Sequence, residues 1–424
     1  MDKRFANMFN LSEEQAITVL DTPQDQIGED DSRYIAASHL INYPSENSID
    51  ALIRAVLNTD PELDNRIVRR KSIETLGRLQ ATKALPVICD CLADDDCYTV
   101  ENAVWSIGEI GTTDPEILAE ITQLLAKPKQ SYRVIIHTLI KLDYAPAVSE
   151  IKKFVDSEDG PIASAAVAAV GRFAKDYSQI EKVLAFLQHP QVLARRLCIQ
   201  DLIDAKYYAA IPHITYCPVS IVFRLRGVRL LADAGIAEGV VTFSDVQPHL
   251  EKVLRDHPED LKLVHSYGQI PTLDTLIRDL YDVDFGRCYL AIQLILQHYA
   301  QEAPVALFAT YEAEAHNDYG AHFHVVKLFG WLKHAPAYDL IVEALHNTQP
   351  QFQKSRAAAA IALGELGDIR AIPELKKSLE GRLWDLKYAA LIALEKLGDN
   401  SSRQIVINDP DWLIQAKAVS IKNN

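Results

Sequence analysis

The sequence predicts an all-α protein built as a solenoid of stacked helical hairpins. Similar glycine-containing segments recur along the chain, as in TLGRLQATKALPVICDCL around Gly77, SIGEIGTTDPEILAEITQLL around Gly108 and ALGELGDIRAIPELKKSL around Gly364. The spacing from Gly77 to Gly108, and again from Gly367 to Gly398, gives a period of about 31 residues, which lies in the range of helical-hairpin repeats. No segment alternates apolar and polar residues over a sustained stretch, so we expect no strands.

Each repeat consists of an apolar helix, a short turn with Gly, Asp or Pro, and a second apolar helix. Such a hairpin cannot bury its apolar face alone, so neighbouring hairpins stack into one continuous core. The short period predicts a HEAT-like, or armadillo-like, repeat. We expect an N-terminal helical cap at 1–31, HEAT-like repeats at 32–240, irregular helical repeats at 241–350, and C-terminal HEAT-like repeats with a cap at 351–424.

Composition excludes several classes of protein. The 424 residues are 48% hydrophobic and 24% charged, which is typical of a globular protein. No apolar run approaches the roughly 20 residues that a membrane span needs. The net charge of -15 argues against broad nucleic-acid binding, because contacts with phosphates require a basic surface. The start, MDKRFANMFNLSEE, lacks the apolar core of a signal peptide, so we expect a cytoplasmic protein.

The six cysteines do not predict a disulfide scaffold or a metal site. Cys89, Cys91 and Cys97 lie close together, but their spacing fits no zinc-binding pattern and no Cys or His pair follows at a suitable distance. We therefore expect buried or partly exposed thiols and no bound metal.

One predicted helix, YTVENAVWSIGEIG at residues 98–111, has an unusual polar face. Its apolar residues lie on one side, while the other side collects an acid, an amide and two aromatic rings. Aligning Gly77 with Gly108 and Leu142 with Ile110 adds basic residues from the two neighbouring repeats. The resulting polar strip includes Arg70, Tyr98, Glu101, Asn102, Trp105, Arg133 and His137. We expect it on the second helices of the hairpins, which line the inner side of solenoids of this class.

A second group of polar residues lies in EAHNDYGAHFHVVKLFGWL, residues 314–332. HNDYG predicts a turn that begins a helix, with Asp318 and Tyr319 at its N-terminus; capping of that helix is an alternative role for Asp318. His322 and His324 are two residues apart, so on a helix they point in different directions and do not form one metal site.

A third group is the arginine-rich stretch VFRLRGVRLLADAG, which contains Arg224, Arg226 and Arg229. Three arginines on one helix are more than solubility requires, so we expect one or two to face the groove. The alternative is that they pair with acidic residues of the next repeat.

The sequence resembles the E/F-type phycobilin lyases of cyanobacteria, which are HEAT-like repeat proteins that load bilins onto phycobiliproteins. The resemblance lies in SRYIAASHLINYPSENSIDALIRAV, NRIVRRKSIETLGRL, YTVENAVWSIGEIG and LGELGDIRAIPELKKSLEG, and it covers nearly the whole chain. It is strongest to the phycoerythrin-directed branch, which attaches phycoerythrobilin to the α subunit and includes lyase-isomerases that yield phycourobilin. The resemblance therefore implies an open-chain tetrapyrrole as substrate, a phycoerythrin subunit as protein partner and no permanently bound cofactor.

Such an enzyme needs cations for two propionates, a carboxylate for the pyrrole N–H groups and an acid to protonate the pigment. The candidates in this sequence are Arg70, Arg133 and Arg226 for the propionates. Tyr319 is the candidate acid, near a positive helix end, and Asp318 beside it is the second predicted catalytic residue. Tyr98 and Trp105 are expected to stack on pyrrole rings, Glu101 and Asn102 to bind ring nitrogens, and His137 and His324 to complete the predicted bilin contacts.

Two alternatives remain open at this point. Arg70 and Glu74 are four residues apart and could form only a surface ion pair, and Trp105 could be a partly buried groove residue whatever the function. The rival to a lyase is a non-catalytic HEAT-repeat scaffold or chaperone whose groove binds a protein. A pocket deep enough for a tetrapyrrole would favour the lyase.

Overall fold

The computed structural model describes residues 11–28 and 31–421, and this part of the chain contains helices and no strand. The all-α prediction is confirmed. The predicted caps at 1–31 and 351–424 extend over residues 1–10, 29–30 and 422–424, which lie outside the described residues. The chain divides into two compact units, Met1–Ile180 and Glu181–Asn424. This division falls inside the stretch predicted as one run of repeats, and the other predicted boundaries stay predictions.

The first unit is a series of short helical hairpins. Its described helices are α1 (Glu13–Asp21), α2 (Arg33–His39), α3 (Glu46–Leu57), α4 (Leu63–Arg78), α5 (Leu85–Asp90), α6 (Cys97–Ile110), α7 (Pro115–Gln123), α8 (Tyr132–Lys141), α9 (Val148–Ile151) and α10 (Gly160–Ala174). The long helices α4, α6, α8 and α10 pack against one another in that order. The polar strip predicted from the sequence therefore lies on adjacent elements.

The second unit continues the same plan with longer helices. The helix α11 (Ile180–Ala185) begins at the boundary, and the others are α12 (Val192–Asp204), α13 (Ile211–Thr215), α14 (Ile221–Ala237), α15 (Phe243–Arg255), α16 (Leu273–Asp279), α17 (Phe285–His298), α18 (Ala303–Thr310), α19 (Tyr319–Trp331), α20 (Tyr338–His346), α21 (Gln353–Leu366), α22 (Ile372–Leu379), α23 (Trp384–Lys396) and α24 (Trp412–Ser420). A π-helical turn, Tyr311–Ala315, separates α18 from α19. In this unit α17 packs on α19, α19 on α21, and α21 on α23.

The repeat is visible in the positions at which the long helices end. The helices α4, α6, α8, α10 and α12 end at intervals of 30 to 33 residues, as the glycine spacing predicted. Many helices are preceded by a residue whose side chain accepts a backbone N–H group of the first turn. Asp96 accepts that of Thr99 in α6, and Asp159 accepts that of Ile162 in α10. Each contact satisfies one of the free donors at the start of the helix. The turns that follow the long helices place one residue in the left-handed region; these residues include Gln80, Gly111, Asp143, Lys175, Lys206, Lys333, Gly367 and Gly398.

The helices α19 and α21 approach each other closely because Gly330 has no side chain. A Cβ added at Gly330 would lie 2.6 Å from Cα of Ala362 and 2.7 Å from its Cβ. The same pairing of glycine with alanine joins Gly364 on α21 to Ala393 on α23. These close contacts hold the C-terminal parts of the three helices near one another.

None of the described helices is both long enough and apolar enough to cross a lipid bilayer. Within residues 11–28 and 31–421, no cluster of three or more His, Cys, Asp or Glu side chains is arranged to hold a metal ion.

Candidate functional site

A cavity of about 980 Å³ opens in the second unit, where the first turns of several long helices meet. Its lining comes from the N-terminal part of α14, the residues just before α17, and the first turns of α19, α21 and α23. Ligand pockets for molecules of drug size have volumes of about 300 to 1,000 Å³. The cavity is thus large enough for an extended organic ligand.

Aromatic and apolar side chains form much of this wall, with charged groups between them. The aromatic members are Phe223, Tyr281, Phe285, Tyr319 and Trp384, and the charged ones are Arg196, Arg226, Arg229, Lys354, Asp282, Asp318 and Asp385. A few polar groups on an apolar wall are the usual composition of a ligand site.

Three of the residues proposed from the sequence line the cavity together: Arg226, Asp318 and Tyr319. Asp318 also caps α19, since its Oδ1 accepts the backbone N–H groups of Gly320 and Ala321 at 2.8 and 2.7 Å. The alternative role proposed for Asp318 is therefore present in the structure. Tyr319 is the first residue of α19 and its side chain is 57% exposed, so its hydroxyl is accessible to a ligand.

His324 is not part of the cavity wall. It is fully buried, and its ring lies 4.6 Å from the ring of Phe285 and 5.7 Å from that of Tyr289. Burial holds its pKa well below the usual value, which favours the neutral form of the ring. This placement does not support the direct bilin contact that we predicted for His324.

The three arginines of α14 have three different surroundings. Arg224 is buried and donates to Asp256, while Arg229 pairs with Asp233 and Asp411 at 2.9 Å each. These two follow the alternative of pairing with acidic residues. Arg226 is exposed and donates to the side-chain oxygen of Gln200 at 2.6 Å, with no ion pair to any described residue. Arg226 is consequently the arginine of this helix that remains available to an anion.

Two further cavity residues were not proposed from the sequence, Lys354 and Asp385. They occupy the second positions of α21 and α23, respectively. Burial raises the pKa of Asp385, whose carboxylate accepts only backbone N–H groups among the described residues. In the sequence, Lys354 and Asp385 look like ordinary first-turn residues. The feature that could have indicated them is their position in the first turn of a helix, which Tyr319 shares.

The polar strip of the first unit is assembled as the repeat alignment predicted, but several of its members already have partners. Arg70 donates to Asp96, with Nη2 2.6 Å from Oδ2, and its guanidinium lies 4.9 Å from the centre of the Tyr98 ring. Glu74 pairs with Lys71 instead of Arg70. The simple Arg70–Glu74 surface pair is therefore replaced by a contact between neighbouring helices.

The rest of the strip continues across α6 and α8. Trp105 lies 5.7 Å below the guanidinium of Arg78, and Asn102 donates to the carbonyl of Tyr98 at 2.7 Å. Glu101 accepts a hydrogen bond from Ser131.

Arg133 is half-buried on α8 and donates to the carbonyl of Pro161, and His137 lies one turn further along the same helix. The candidate residues thus form two groups, the strip in the first unit and the cavity residues in the second. The assignment of bilin contacts to the strip stays a prediction.

Comparison with known proteins gives matches along nearly the whole chain. The sequence model for HEAT repeats matches residues 61–140, and that for the PBS lyase HEAT-like repeat matches residues 355–381. The chain is 65% identical to the Uncharacterized phycocyanin operon protein Y of Pseudanabaena tenuis, over 98% of this chain and 99% of that protein. It is 31% identical to the Bilin biosynthesis protein CpeY of Synechococcus sp., over 91% of this chain and 96% of that protein. It is also 26% identical to the Phycocyanobilin lyase subunit alpha of Nostoc sp., over 47% of this chain and 78% of that protein.

Proposed function

Because this chain belongs to the E/F-type family of bilin lyases, which are built from HEAT-like repeats, we propose that it attaches phycoerythrobilin to a cysteine of the phycoerythrin α subunit. The family resemblance inferred from the sequence is confirmed, and with it the class of activity, phycobilin attachment. The choice of pigment, the choice of subunit, a further isomerisation to phycourobilin and action in the cytoplasm are parts of the proposal.

The observation that carries the proposal is the cavity of about 980 Å³ in the second unit. An open-chain tetrapyrrole is an extended, largely apolar molecule with N–H groups along one edge and two propionate arms. The cavity offers aromatic surface for its rings and charged groups at separate points for its polar parts. This combination supports a pigment site more directly than a groove for a peptide, which needs an extended surface.

The proposed reaction adds the thiol of the client cysteine across a double bond of the pigment. The sulfur bonds to the ethylidene carbon of ring A, the thiol proton is lost to the surroundings, and the pigment gains one proton, so no oxidant or reductant is required. The protein holds the pigment in one conformation and presents one face of the double bond to the client, which is catalysis chiefly by orientation.

Tyr319 is the proposed proton donor. Its side chain is exposed at the cavity, at the first position of α19, the helix that Asp318 caps. Asp385 is the proposed partner of the pyrrole N–H groups, because a carboxylate without a cationic partner gains most from such donors. Glu101 is the corresponding candidate on the polar strip, and Arg226 is the proposed propionate partner at the exposed side of the cavity.

The test is co-expression of the protein with enzymes that make phycoerythrobilin and with a phycoerythrin α subunit. We expect the purified subunit to gain the mass of one bilin and a phycoerythrobilin spectrum only when the protein is present. A shift of the product to the shorter-wavelength phycourobilin spectrum would add the isomerisation. No gain of pigment over the control without the protein would overturn the proposal.

Two additional experiments make this test more specific. Because a relative that is 65% identical is named for a phycocyanin operon, phycocyanin α is supplied in a parallel culture, and pigment on that subunit alone would overturn the choice of client.

Tyr319→Phe should slow attachment about 100-fold while the pigment still binds. Tyr338→Phe, on α20 and outside the cavity wall, is the matched control and should leave the rate unchanged.

A further inference from the structure

Lys354 is a half-buried lysine on the cavity wall that has no carboxylate partner among the described residues. Its ammonium nitrogen lies 4.4 Å from the centre of the Phe285 ring, 4.7 Å from that of Tyr319 and 5.3 Å from that of Phe323. Three aromatic faces attract a cation, but they do not replace the strong hydrogen bonds that water or a carboxylate would provide. The ammonium group is thus held among aromatic rings and has no hydrogen-bond acceptor among the described residues.

Every other cation on this wall has a polar acceptor. Arg229 pairs with two carboxylates, Arg226 donates to Gln200, and Arg196 donates to the carbonyl of Val283 at 3.0 Å. Burial lowers the pKa of the Lys354 amine to about 8, as expected for a charge that is partly removed from water and has no paired carboxylate.

The surrounding backbone also favours an anion at this point. Lys354 and Tyr319 lie in the first turns of α21 and α19, and Trp384 begins α23, so the positive ends of three helix dipoles border the cavity near the lysine. An anionic group that entered here would receive hydrogen bonds from the ammonium and a favourable field from the helix ends.

We propose that Lys354 is the residue that binds a carboxylate of the ligand in this cavity and so sets the ligand's orientation. The inference rests on the proposed function, in which the ligand is a bilin, and it deepens that function: the carboxylate is one of the two propionates, and Arg226 at the exposed side is placed to take the other. Lys354 is a binding and positioning residue, because it anchors an arm of the pigment that does not react.

The test compares two forms of one pigment, phycoerythrobilin with free propionates and its dimethyl ester, whose arms carry no charge. Dissociation constants are measured by absorbance titration for the unaltered protein, Lys354→Met and Lys354→Arg. Lys377→Met serves as the control, because Lys377 is an exposed lysine of the same unit that pairs with Glu374 outside the cavity. Thermal unfolding followed by circular dichroism verifies that each variant is folded.

We expect Lys354→Met to weaken binding of the free acid about tenfold, to leave binding of the ester unchanged, and Lys354→Arg to restore most of the preference for the acid. Equal weakening of both forms, or no weakening of either, would overturn the role of Lys354 while leaving the proposed function intact. Failure of the unaltered protein to bind either form would overturn the proposed function, and this inference with it.

Discussion

Lys327 and Asp256 form an ion pair in the interior of the second unit, with 2.9 Å between the ammonium nitrogen and a carboxylate oxygen and with both side chains at most 1% exposed. The same carboxylate accepts hydrogen bonds from Arg224 and from the hydroxyl of Tyr289. Although burial opposes it, the charges of Lys327 and Arg224 hold the pKa of Asp256 below its usual range. One buried anion is thus the shared partner of two buried cations.

Asp256→Asn should destabilise the protein strongly, because both cations would lose their counter-ion inside the core. We expect the free energy of unfolding to fall by about 3 to 5 kcal/mol, measured by urea denaturation. Lys396→Met, which removes a lysine from a partly exposed pair with Glu365, is the control and should cost at most about 1 kcal/mol. Similar losses for the two variants would show that the buried network is not a special source of stability.

Stability should also fall in mild acid, because His322 is buried on α19 against the ring of Phe352, at 4.8 Å, and that of Tyr311, at 5.6 Å. Burial, with smaller effects from the charges of His316 and Lys354, lowers the pKa of His322 to about 4. The unfolded chain takes up a proton near its ordinary, higher pKa, so it binds more protons than the folded chain between the two values. His322 therefore does not reduce the free energy of unfolding above its ordinary pKa. That free energy falls as the pH drops below this value.

The expected loss from His322 alone is about 2 kcal/mol between neutral pH and about pH 5, read from urea denaturation at a series of pH values. His322→Leu should flatten that part of the pH dependence, and His213→Leu, at an exposed position, should not. An unchanged slope in His322→Leu would mean that other groups cause the acid sensitivity.

Equivalent turns of the repeat have different residue types at the position where φ is positive. Lys333 follows α19 with φ of 50°, and Gly367 follows α21 with φ of 74°. A residue with a side chain is strained by about 1 to 2 kcal/mol in this region, whereas glycine is not. We expect Lys333→Gly to raise the melting temperature and Gly367→Ala to lower it, since a Cβ at Gly367 meets nothing within 4 Å and the effect is purely conformational. Shifts in the same direction for both variants would contradict this account.

The protein's own cysteines should react slowly where they are buried. Cys288 is buried on α17, and burial raises the pKa of its thiol, as it raises the pKa of the Cys217 thiol to about 12. Mass spectrometry after brief treatment of the folded protein with iodoacetamide should find the half-buried Cys97 modified first and Cys288 unmodified until urea is added. Equal labelling of Cys97 and Cys288 before unfolding would contradict the burial of Cys288 on α17.

The repeat architecture was predictable because it depends on local features, such as the glycine spacing from Gly77 to Gly108 and the acidic caps. The grouping of Arg226 with Tyr319 was predictable only in part, because each was identified within its own helix. Their meeting at one cavity depends on how successive hairpins rotate, which single-helix patterns do not reveal. Lys354 and Asp385 were missed for the same reason.

The burial of His324, which the sequence did not predict, has a different physical origin. The helix α19 is buried over all residues from 320 to 330, so it has no polar face from which a direction could be inferred. A histidine in such a helix looks like a ligand-binding residue in the sequence and is part of the core in the structure. Lys327 on the same helix is charged and equally buried because Asp256 lies beside it.

The contact between Arg229 and Asp411 joins residues 182 positions apart in the sequence, and Trp412 donates to Asp233 beside it at 2.7 Å. A ribosome adds residues in order, so the helix that carries Arg229 is made long before the segment that neutralises it. Trp384 and Asp385, which complete the cavity wall, are likewise made after the helix that carries Arg229. During synthesis, a nascent chain that ends before these residues therefore lacks both the ion pair of Arg229 with Asp411 and part of the cavity wall.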